Sequence, residues 1–187
     1  MTVLEKKTRA PEITTGTAVA RTLAVLRIAT GLVFLWAFLD KTFGLGYATP
    51  ADRAWLNGGS PTRGFLSHVE VGPFQSVFHG IAGAAWADWL FMLGLLGVGV
   101  ALVLGIGLRL AAGAAALMMA FMWLAEFPPA RHTAAGEPSG SSNPIVDYHV
   151  VYAITTVLLA VTPAGRTWGL GRRWAELPLV RNHPWLI

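Results

Sequence analysis

Residues 89–108 read WLFMLGLLGVGVALVLGIGL, a run of 20 residues without a charged side chain. Asp88 precedes this run and Arg109 follows it. A helix of about 20 apolar residues spans the hydrocarbon core of a bilayer. A helix also pairs its own backbone polar groups, as a chain in lipid must. The stretch therefore predicts a transmembrane helix.

Three more apolar stretches flank this helix along the chain. Residues 110–125 are an uncharged run of 16 residues, which crosses a bilayer if its flanking charges reach toward the interfaces. Residues 148–165 form a run of 18 residues, and the candidate stretch of residues 18–42 is apolar from residue 22 to residue 39 apart from Arg27. The sequence thus predicts an all-α integral membrane protein, a four-helix bundle over residues 18–165.

The composition agrees with a membrane protein. Of the 187 residues, 54% are hydrophobic and 13% are charged, about half the charge of a typical soluble domain. Cysteine is absent, which excludes disulfides, thiolate metal sites, iron–sulfur clusters and covalent haem attachment. The formal net charge is +4, but the cations are scattered between apolar runs, so we expect no nucleic acid partner.

Lysine and arginine are distributed unevenly between the two sides that four spans create. Ten of the 14 lie on the side of the termini: Lys6, Lys7, Arg9, Arg21, Arg27, Arg109, Arg166, Arg172, Arg173 and Arg181. Cytoplasmic segments carry such an excess. We therefore expect a multi-pass protein of the cell (plasma) membrane with a cytoplasmic tail at residues 1–17 and a cytoplasmic interfacial tail at residues 166–187.

The opposite, outer side holds two longer connections. The first, residues 43–85, mixes Gly and Pro with many apolar side chains, which predicts a long outer loop with short interfacial helices. The second, residues 127–144, is rich in Pro, Gly and Ser and predicts a flexible flap. Within the second span, Gly97, Ala101 and Gly105 repeat every four residues and predict a close helix contact.

Ionisable residues gather near the outer ends of the spans: Asp40, Lys41, Asp88, Glu126, Asp147 and His149. Such groups either lie in interfacial water or border a site between the helices. For Asp88 we expect interfacial water; for Asp40, Lys41, Asp147 and His149 the two interpretations stay open. Because Asp147 and His149 are two residues apart, their side chains should diverge by about 200° on a helix and not touch.

Metal and haem sites are not expected. The five histidines are His68, His79, His132, His149 and His183, and only His149 lies in a predicted span. A bis-histidine haem needs two facing ligands at membrane depth, and a histidine-rich metal site has the same shortage. The remaining carboxylate, imidazole, ammonium and indole groups suit proton-coupled chemistry of a quinone of the menaquinone or ubiquinone type.

Three stretches are distinctive in order and spacing: RIATGLVFLWAFLDKTFGLG at residues 27–46, NPIVDYHVVYA at residues 143–153 and GRTWGLGRRW at residues 165–174. With these stretches the sequence resembles the DoxX/DoxD family over about residues 21–174. Order and spacing are similar to those of the DoxD-like large subunit of thiosulfate:quinone oxidoreductase. This resemblance implies a membrane oxidoreductase subunit that oxidises a small substrate, with thiosulfate as the candidate, at the outer face and reduces quinone.

The resemblance and the polar groups together suggest roles for seven residues. The predicted roles are anion binding for Lys41 and Arg63, quinone hydrogen bonding for His149, proton transfer for Asp40 and Asp147, and stacking walls for Trp36 and Trp55. Asp40, Lys41, Asp147 and His149 are thus the predicted catalytic groups, with a partner protein subunit or redox complex and membrane lipid as further partners. The alternative is a non-catalytic accessory or scaffold subunit of a larger membrane redox complex.

Overall fold

Three helices of the computed structural model are long and apolar enough to cross a membrane. They are α1 (Thr17–Phe43), α4 (Ala85–Leu104) and α5 (Leu108–Glu126), with 27, 20 and 19 residues. The structure describes residues 16–187, so nearly all of the predicted tail 1–17, including Lys6, Lys7 and Arg9, lies outside it. Three of the four predicted spans are therefore matched by helices of suitable length and composition.

The region of the fourth predicted span forms α6 (Tyr148–Val161), an apolar helix of 14 residues. The remaining α-helices are short: α2 (Arg63–Leu66), α3 (Gln75–Ile81), α7 (Gly171–Glu176) and α8 (Pro178–Asn182). Single 3-10 turns occur at Ala51–Arg53, Trp55–Asn57, Ala164–Arg166 and Pro184–Leu186. Residues 16–187 contain no β-strand, which agrees with the all-α prediction.

The four longest helices pack in chain order. Helix α1 lies against α4, α4 against α5, α5 against α6, and α6 also contacts α1. The main core between them holds Phe34, Met92, Leu95, Val98, Leu102, Ala115, Met119, Leu159 and Ala164. We call the end at which α1 and α5 end and α4 and α6 begin the loop end, because residues 44–84 and 127–147 connect the helices there.

The close contact between α1 and α4 is made by two glycines. A Cβ on Gly31 would lie 2.8 Å from the backbone nitrogen of Val103, and one on Gly99 would lie 2.8 Å from that of Leu35. A Cβ on Gly97 would meet nothing within 4 Å. The predicted close contact is therefore wrong at Gly97, because the face of α4 that meets α1 is the one that holds Gly99, whereas a Cβ on Gly105 of the same stripe would lie 3.0 Å from Cα of Gly165.

The helix boundaries are set by glycines in the left-handed region. Gly44, with φ 65°, caps the C-terminus of α1, and Gly105, with φ 73°, caps that of α4. The amide of Ile106 donates to the carbonyl of Ala101 at 3.0 Å, which closes the end of α4. The second span therefore begins and ends about one turn earlier than the uncharged run of residues 89–108 predicts.

At the end of the helices opposite the loop end, the side chain of Arg27 connects separate parts of the chain. Its side chain is fully buried, and its nitrogens donate to backbone carbonyls of Leu102, Val103, Ala164, Thr167 and Trp168. These carbonyls belong to the end of α4 and to the segment that follows α6. The charge that interrupts the first apolar stretch is thus a cross-link among three parts of the chain.

The long first connection contains short helices, as predicted, and they form a second small core. Val69, Phe78 and Ala125 are buried together there, with Phe65 and Leu66 packed against them. This core fixes α2 and α3 against the loop end of α5. Residues 127–144 have no helix, and one isolated bridge joins His132 to Pro138.

Candidate functional site

Two cavities open at the loop end of the molecule. The polar cleft has a volume of about 390 Å³, and its lining includes His68, Glu70, Glu126, Ser141 and Asp147. The apolar groove has a volume of about 400 Å³, and its lining includes Lys41, Phe78, Leu90, Leu117, Phe121 and Met122. Phe65 of α2 lines both, so one aromatic ring forms a shared wall.

The apolar groove lies between the long helices and the short helices of the first connection. Helices α4 and α5 supply Leu90 and Phe121, and α2 and α3 supply Phe65 and Phe78. Leu90 and Phe121 are exposed, so the groove opens on the apolar outer surface of the helices. In a membrane this surface faces lipid, and the groove can admit an apolar molecule from the bilayer.

Lys41 is the cationic residue of the groove lining. It lies in the last turn of α1 and is half-buried. Among residues 16–187 no hydrogen bond or salt bridge engages its ammonium group. A half-buried ammonium without a bonded partner is available to donate to a ligand oxygen. The predicted role of Lys41 in binding is therefore compatible with its position.

Asp40, the neighbour of Lys41, does not line either cavity. Its side chain is 2% exposed and accepts hydrogen bonds from the backbone amides of Tyr47, at 3.3 Å, and Ala48, at 3.0 Å. These bonds hold the chain as it leaves α1 through Gly44. Asp40 is thus placed to fix the start of the first connection.

Asp88 is buried rather than in interfacial water. Its carboxylate is 6% exposed and accepts from the Ser60 hydroxyl at 2.9 Å, the Thr62 amide at 2.9 Å and the Thr62 hydroxyl at 2.6 Å. The expectation that Asp88 lies in water is therefore wrong, because residues 60–62 fold back over the start of α4. This carboxylate anchors the segment that leads into α2 beside the groove.

Asp147 and His149 are in direct contact, contrary to the prediction that they diverge. Oδ2 of Asp147 accepts from Nδ1 of His149 at 2.8 Å, and Oδ1 accepts from the backbone amides of His149 and Val150. Asp147 is the N-cap of α6, with φ −116° and ψ −170°. Because an N-cap residue has no helical backbone geometry, the rotation of about 100° per residue does not apply to it.

The pKa of the Asp147 carboxyl lies below its ordinary value. Partial burial alone would raise this pKa, but hydrogen bonds from the His149 ring and from the amides of Val150 and His149 lower it by more. The contact with Asp147 occupies Nδ1 of His149 and leaves Nε2 for another partner.

Nε2 of His149 faces a carboxylate of the neighbouring helix. The side chain of His149 is 1% exposed, and Nε2 has no hydrogen-bond partner. Oε1 of Glu126, the last residue of α5, lies 4.0 Å away. Tyr148 donates from its hydroxyl to the same Oε1 at 2.7 Å. Ligand atoms of Glu126, Asp147 and His149 all lie within 4.8 Å of one another.

The other predicted site residues lie apart from these groups. Trp36 is exposed on α1 and meets Tyr47 edge to face at 5.1 Å between ring centroids, while Trp55 meets Trp89 at 4.7 Å. Arg63 is exposed at the start of α2. None of Trp36, Trp55 and Arg63 lines either cavity.

The predicted residues are thus distributed over different places. Lys41 borders the groove, Asp147 borders the polar cleft, and His149 lies buried behind Tyr148. Sequence reasoning did not assign roles to Phe65, Tyr148 or Glu126, although Tyr148 stands between the two candidates of the NPIVDYHVVYA stretch. The groove could not be predicted from any single stretch of the sequence, because its walls come from separated segments.

These observations define a helical membrane protein whose polar groups meet two cavities at one end of its helices. The chain belongs to the DoxX family, whose match covers residues 22–126. That match includes the groove-lining helices α4 and α5 and ends at Glu126, before Asp147 and His149. Comparison with curated proteins and with solved structures found no match to this chain.

Proposed function

We propose that this protein is the quinone-binding subunit of a membrane oxidoreductase, which couples oxidation of a small substrate to quinone reduction. The observation that carries the proposal is the apolar groove with the Lys41 ammonium on its lining. A quinone is a flat ring with two carbonyl oxygens and an apolar tail. Such a molecule needs an apolar site open to the bilayer and a hydrogen-bond donor for its oxygen.

The groove offers partners for each part of a quinone of the menaquinone or ubiquinone type. Phe65 and Phe121 provide aromatic faces for the ring, and Leu90 and Leu117 provide apolar contacts for the tail. Lys41 is the donor for one carbonyl oxygen. The ring-stacking role predicted for Trp36 and Trp55 therefore passes to Phe65 and Phe121, and the hydrogen-bonding role predicted for His149 passes to Lys41.

Quinone reduction consumes two electrons and two protons. With thiosulfate as donor, two thiosulfate ions form one tetrathionate and release the two electrons, which convert the quinone to its hydroquinone. Glu126 and Asp147 border the polar cleft on the other side of Phe65. These carboxylates can pass protons from water toward the groove.

The substrate site cannot be the polar cleft if the substrate is an anion. The cleft lining includes Glu70, Glu126 and Asp147 but no Lys or Arg. Repulsion by three carboxylates opposes the approach of a thiosulfate dianion. Anion binding therefore belongs to the exposed Arg63 together with a partner protein subunit, which delivers electrons to the groove.

The membrane arrangement forms part of the proposal. We propose that α6 is the fourth span and that both termini are cytoplasmic in the plasma membrane. The 14 residues of α6 extend about 21 Å, less than the roughly 30 Å hydrocarbon core. Residues 162–165 are also uncharged and lengthen this stretch at the opposite end, before Arg166. The excess of Lys and Arg near the termini supports the orientation.

The proposal is tested with the full-length protein purified in lipid. Extraction and mass spectrometry should find a quinone bound to the chain, and addition of thiosulfate should reduce a soluble quinone when co-purified subunits are retained. If the protein contains no quinone, fails to bind added quinone and shows no turnover with or without its partners, the proposal is rejected.

An accessory or scaffold role is the second candidate, and it is favoured by the exposed apolar residues of the C-terminal segment. Trp168, Leu179 and Trp185 are exposed there. These residues can dock against a larger membrane complex or against lipid. Native mass spectrometry distinguishes the two functions: a stable particle of this chain alone with quinone bound contradicts a purely accessory role.

A further inference from the structure

The cluster of Glu126, Asp147 and His149 has a feature that the quinone proposal does not use. Nε2 of His149 is buried and has no hydrogen-bond partner. Burial of an unpaired polar atom is unfavourable. The nitrogen points toward the Glu126 carboxylate, with Oε1 at 4.0 Å. Oε1 of Glu126 already accepts from the Tyr148 hydroxyl, but Nε2 of His149 has no partner, and a cation between the nitrogen and the carboxylate would bind both.

We propose that His149 and Glu126 bind one divalent first-row transition metal ion, such as Zn²⁺, at the loop end of α5 and α6. Imidazole nitrogen and carboxylate oxygen are both ligands of these ions. Bonds of about 2.1 Å place two tetrahedral ligand atoms about 3.4 Å apart, so the pair must close by roughly 0.6 Å. Glu126 is 38% exposed and at a helix end, where its side chain can make this movement.

Asp147 has the position of a residue that orients a metal-binding histidine. Its Oδ2 accepts the Nδ1 proton of His149 at 2.8 Å, and its Oδ1 is held by two backbone amides. A carboxylate on the far nitrogen fixes the ring and leaves Nε2 free for the metal, as in many zinc sites. Asp147 is therefore a positioning residue in this proposal.

The charges around the cluster also favour a cation. Ionised Glu126 and Asp147 carry two negative charges, which a divalent ion balances. The lining of the polar cleft contains Glu70 as a third carboxylate and no Lys or Arg. Water molecules from the cleft can complete the coordination of an ion with two protein ligands. A water molecule bound to such an ion becomes a stronger acid, so the ion is compatible with proton transfer.

The test is a metal titration of the full-length protein in nanodiscs of zwitterionic lipid, after treatment with a chelator. Co²⁺ is the probe because its visible absorption reports coordination, and Zn²⁺ is then added as a competitor. We expect one Co²⁺ per chain, displaced by Zn²⁺. Absence of binding overturns the proposal and leaves a bridging water molecule as the partner of Nε2. Metal binding is measured without turnover, so this result is independent of the quinone proposal.

Substitutions locate the ion. Glu126→Gln should weaken Co²⁺ binding at least tenfold, and His149→Gln should abolish it. Glu137→Gln and His183→Gln, two exposed residues outside the cluster, should leave the affinity unchanged. Since buried His149 could be needed for folding, the exposed Glu126 keeps the test decisive. Binding that is unchanged in Glu126→Gln and in folded His149→Gln overturns the proposal.

The positioning role of Asp147 has its own measurement. Asp147→Asn keeps a side chain that can cap α6. Its neutral amide oxygen is a weaker acceptor for Nδ1 of His149 than a carboxylate, so Nε2 becomes a weaker metal ligand. We expect a 10- to 100-fold weaker affinity for Co²⁺ and a changed absorption spectrum, with the melting temperature of the metal-free protein nearly unchanged. An unchanged affinity and spectrum would contradict the orienting role.

Discussion

Nε of Arg27, on the first transmembrane helix, donates a hydrogen bond of 3.1 Å to the carbonyl oxygen of Ala164, 137 residues further along the chain. The rest of the guanidinium group bonds to carbonyls at the end of α4 and in residues 167–168. Carbonyls at helix ends carry partial negative charge. The buried cation is therefore stabilised by backbone oxygens of two separate segments, the end of α4 and the chain that follows α6.

Loss of this cross-link should destabilise the whole helical assembly. We expect Arg27→Met to lower the free energy of unfolding by about 3 kcal/mol or more, because buried carbonyls lose charged donors. Arg21→Met, at an exposed position of the same helix, is the matched control. Unfolding in detergent by heat or denaturant measures the difference. Equal stability of the two variants would contradict this role of Arg27.

The glycine contact between α1 and α4 makes a second prediction. Gly99→Ala should destabilise the protein by about 1–3 kcal/mol, because the new methyl group would meet the backbone of Leu35. Gly97→Ala, two residues away in open space, should be neutral or stabilising, since alanine favours a helix by up to about 1 kcal/mol. Melting temperatures of the two variants test the pair, and a larger loss for Gly97→Ala would contradict the packing.

The buried carboxylate of Asp88 should control the segment beside the groove. We expect Asp88→Ala to release residues 60–62, because three hydrogen bonds to that carboxylate are lost. Hydrogen exchange and limited proteolysis of the first connection should both become faster. Asp52→Ala, an exposed aspartate of the same connection, is the control. Identical exchange in the two variants would show that Asp88 does not hold this segment.

Lys41 should contribute to quinone affinity without being needed for folding. Because a hydrogen bond from a charged donor contributes about 1.5–3 kcal/mol, Lys41→Met should weaken quinone binding by roughly 10- to 100-fold. Arg53→Met removes an exposed cation from the first connection, outside the groove lining, and should bind normally. Fluorescence quenching by a soluble quinone analogue measures both variants. Equal affinity would place the quinone away from the Lys41 end of the groove.

The sequence alone was sufficient to locate the long membrane helices. The length of an apolar run is a local property, and the bilayer thickness converts it directly into a helix. It also predicted short interfacial helices in residues 43–85, and α2 and α3 confirm that short helices occur there. Helix ends were less predictable: α4 ends at Gly105 although the uncharged run continues, because a left-handed glycine closes the helix there.

The candidate site could be predicted only in part. The polar residues near the span ends were visible in the sequence, but their neighbours were not. Asp147 contacts His149 because it is an N-cap and lies outside the helix. Asp88 is buried because Thr62, from a distant segment, folds over it. The first error arose from applying helix geometry to a residue outside the helix, and the second from expecting interfacial exposure for a residue whose partners come from a distant segment.

What the sequence determined by itself is the helical membrane class of the protein, since hydrophobic length and charge spacing act within each segment. The tertiary structure decided which faces meet: Gly99 rather than Gly97 contacts α1, and Glu126 of α5 faces His149 of α6. The physical reason is that the rotation of a helix about its axis depends on the summed packing with all of its neighbours, which no single segment encodes.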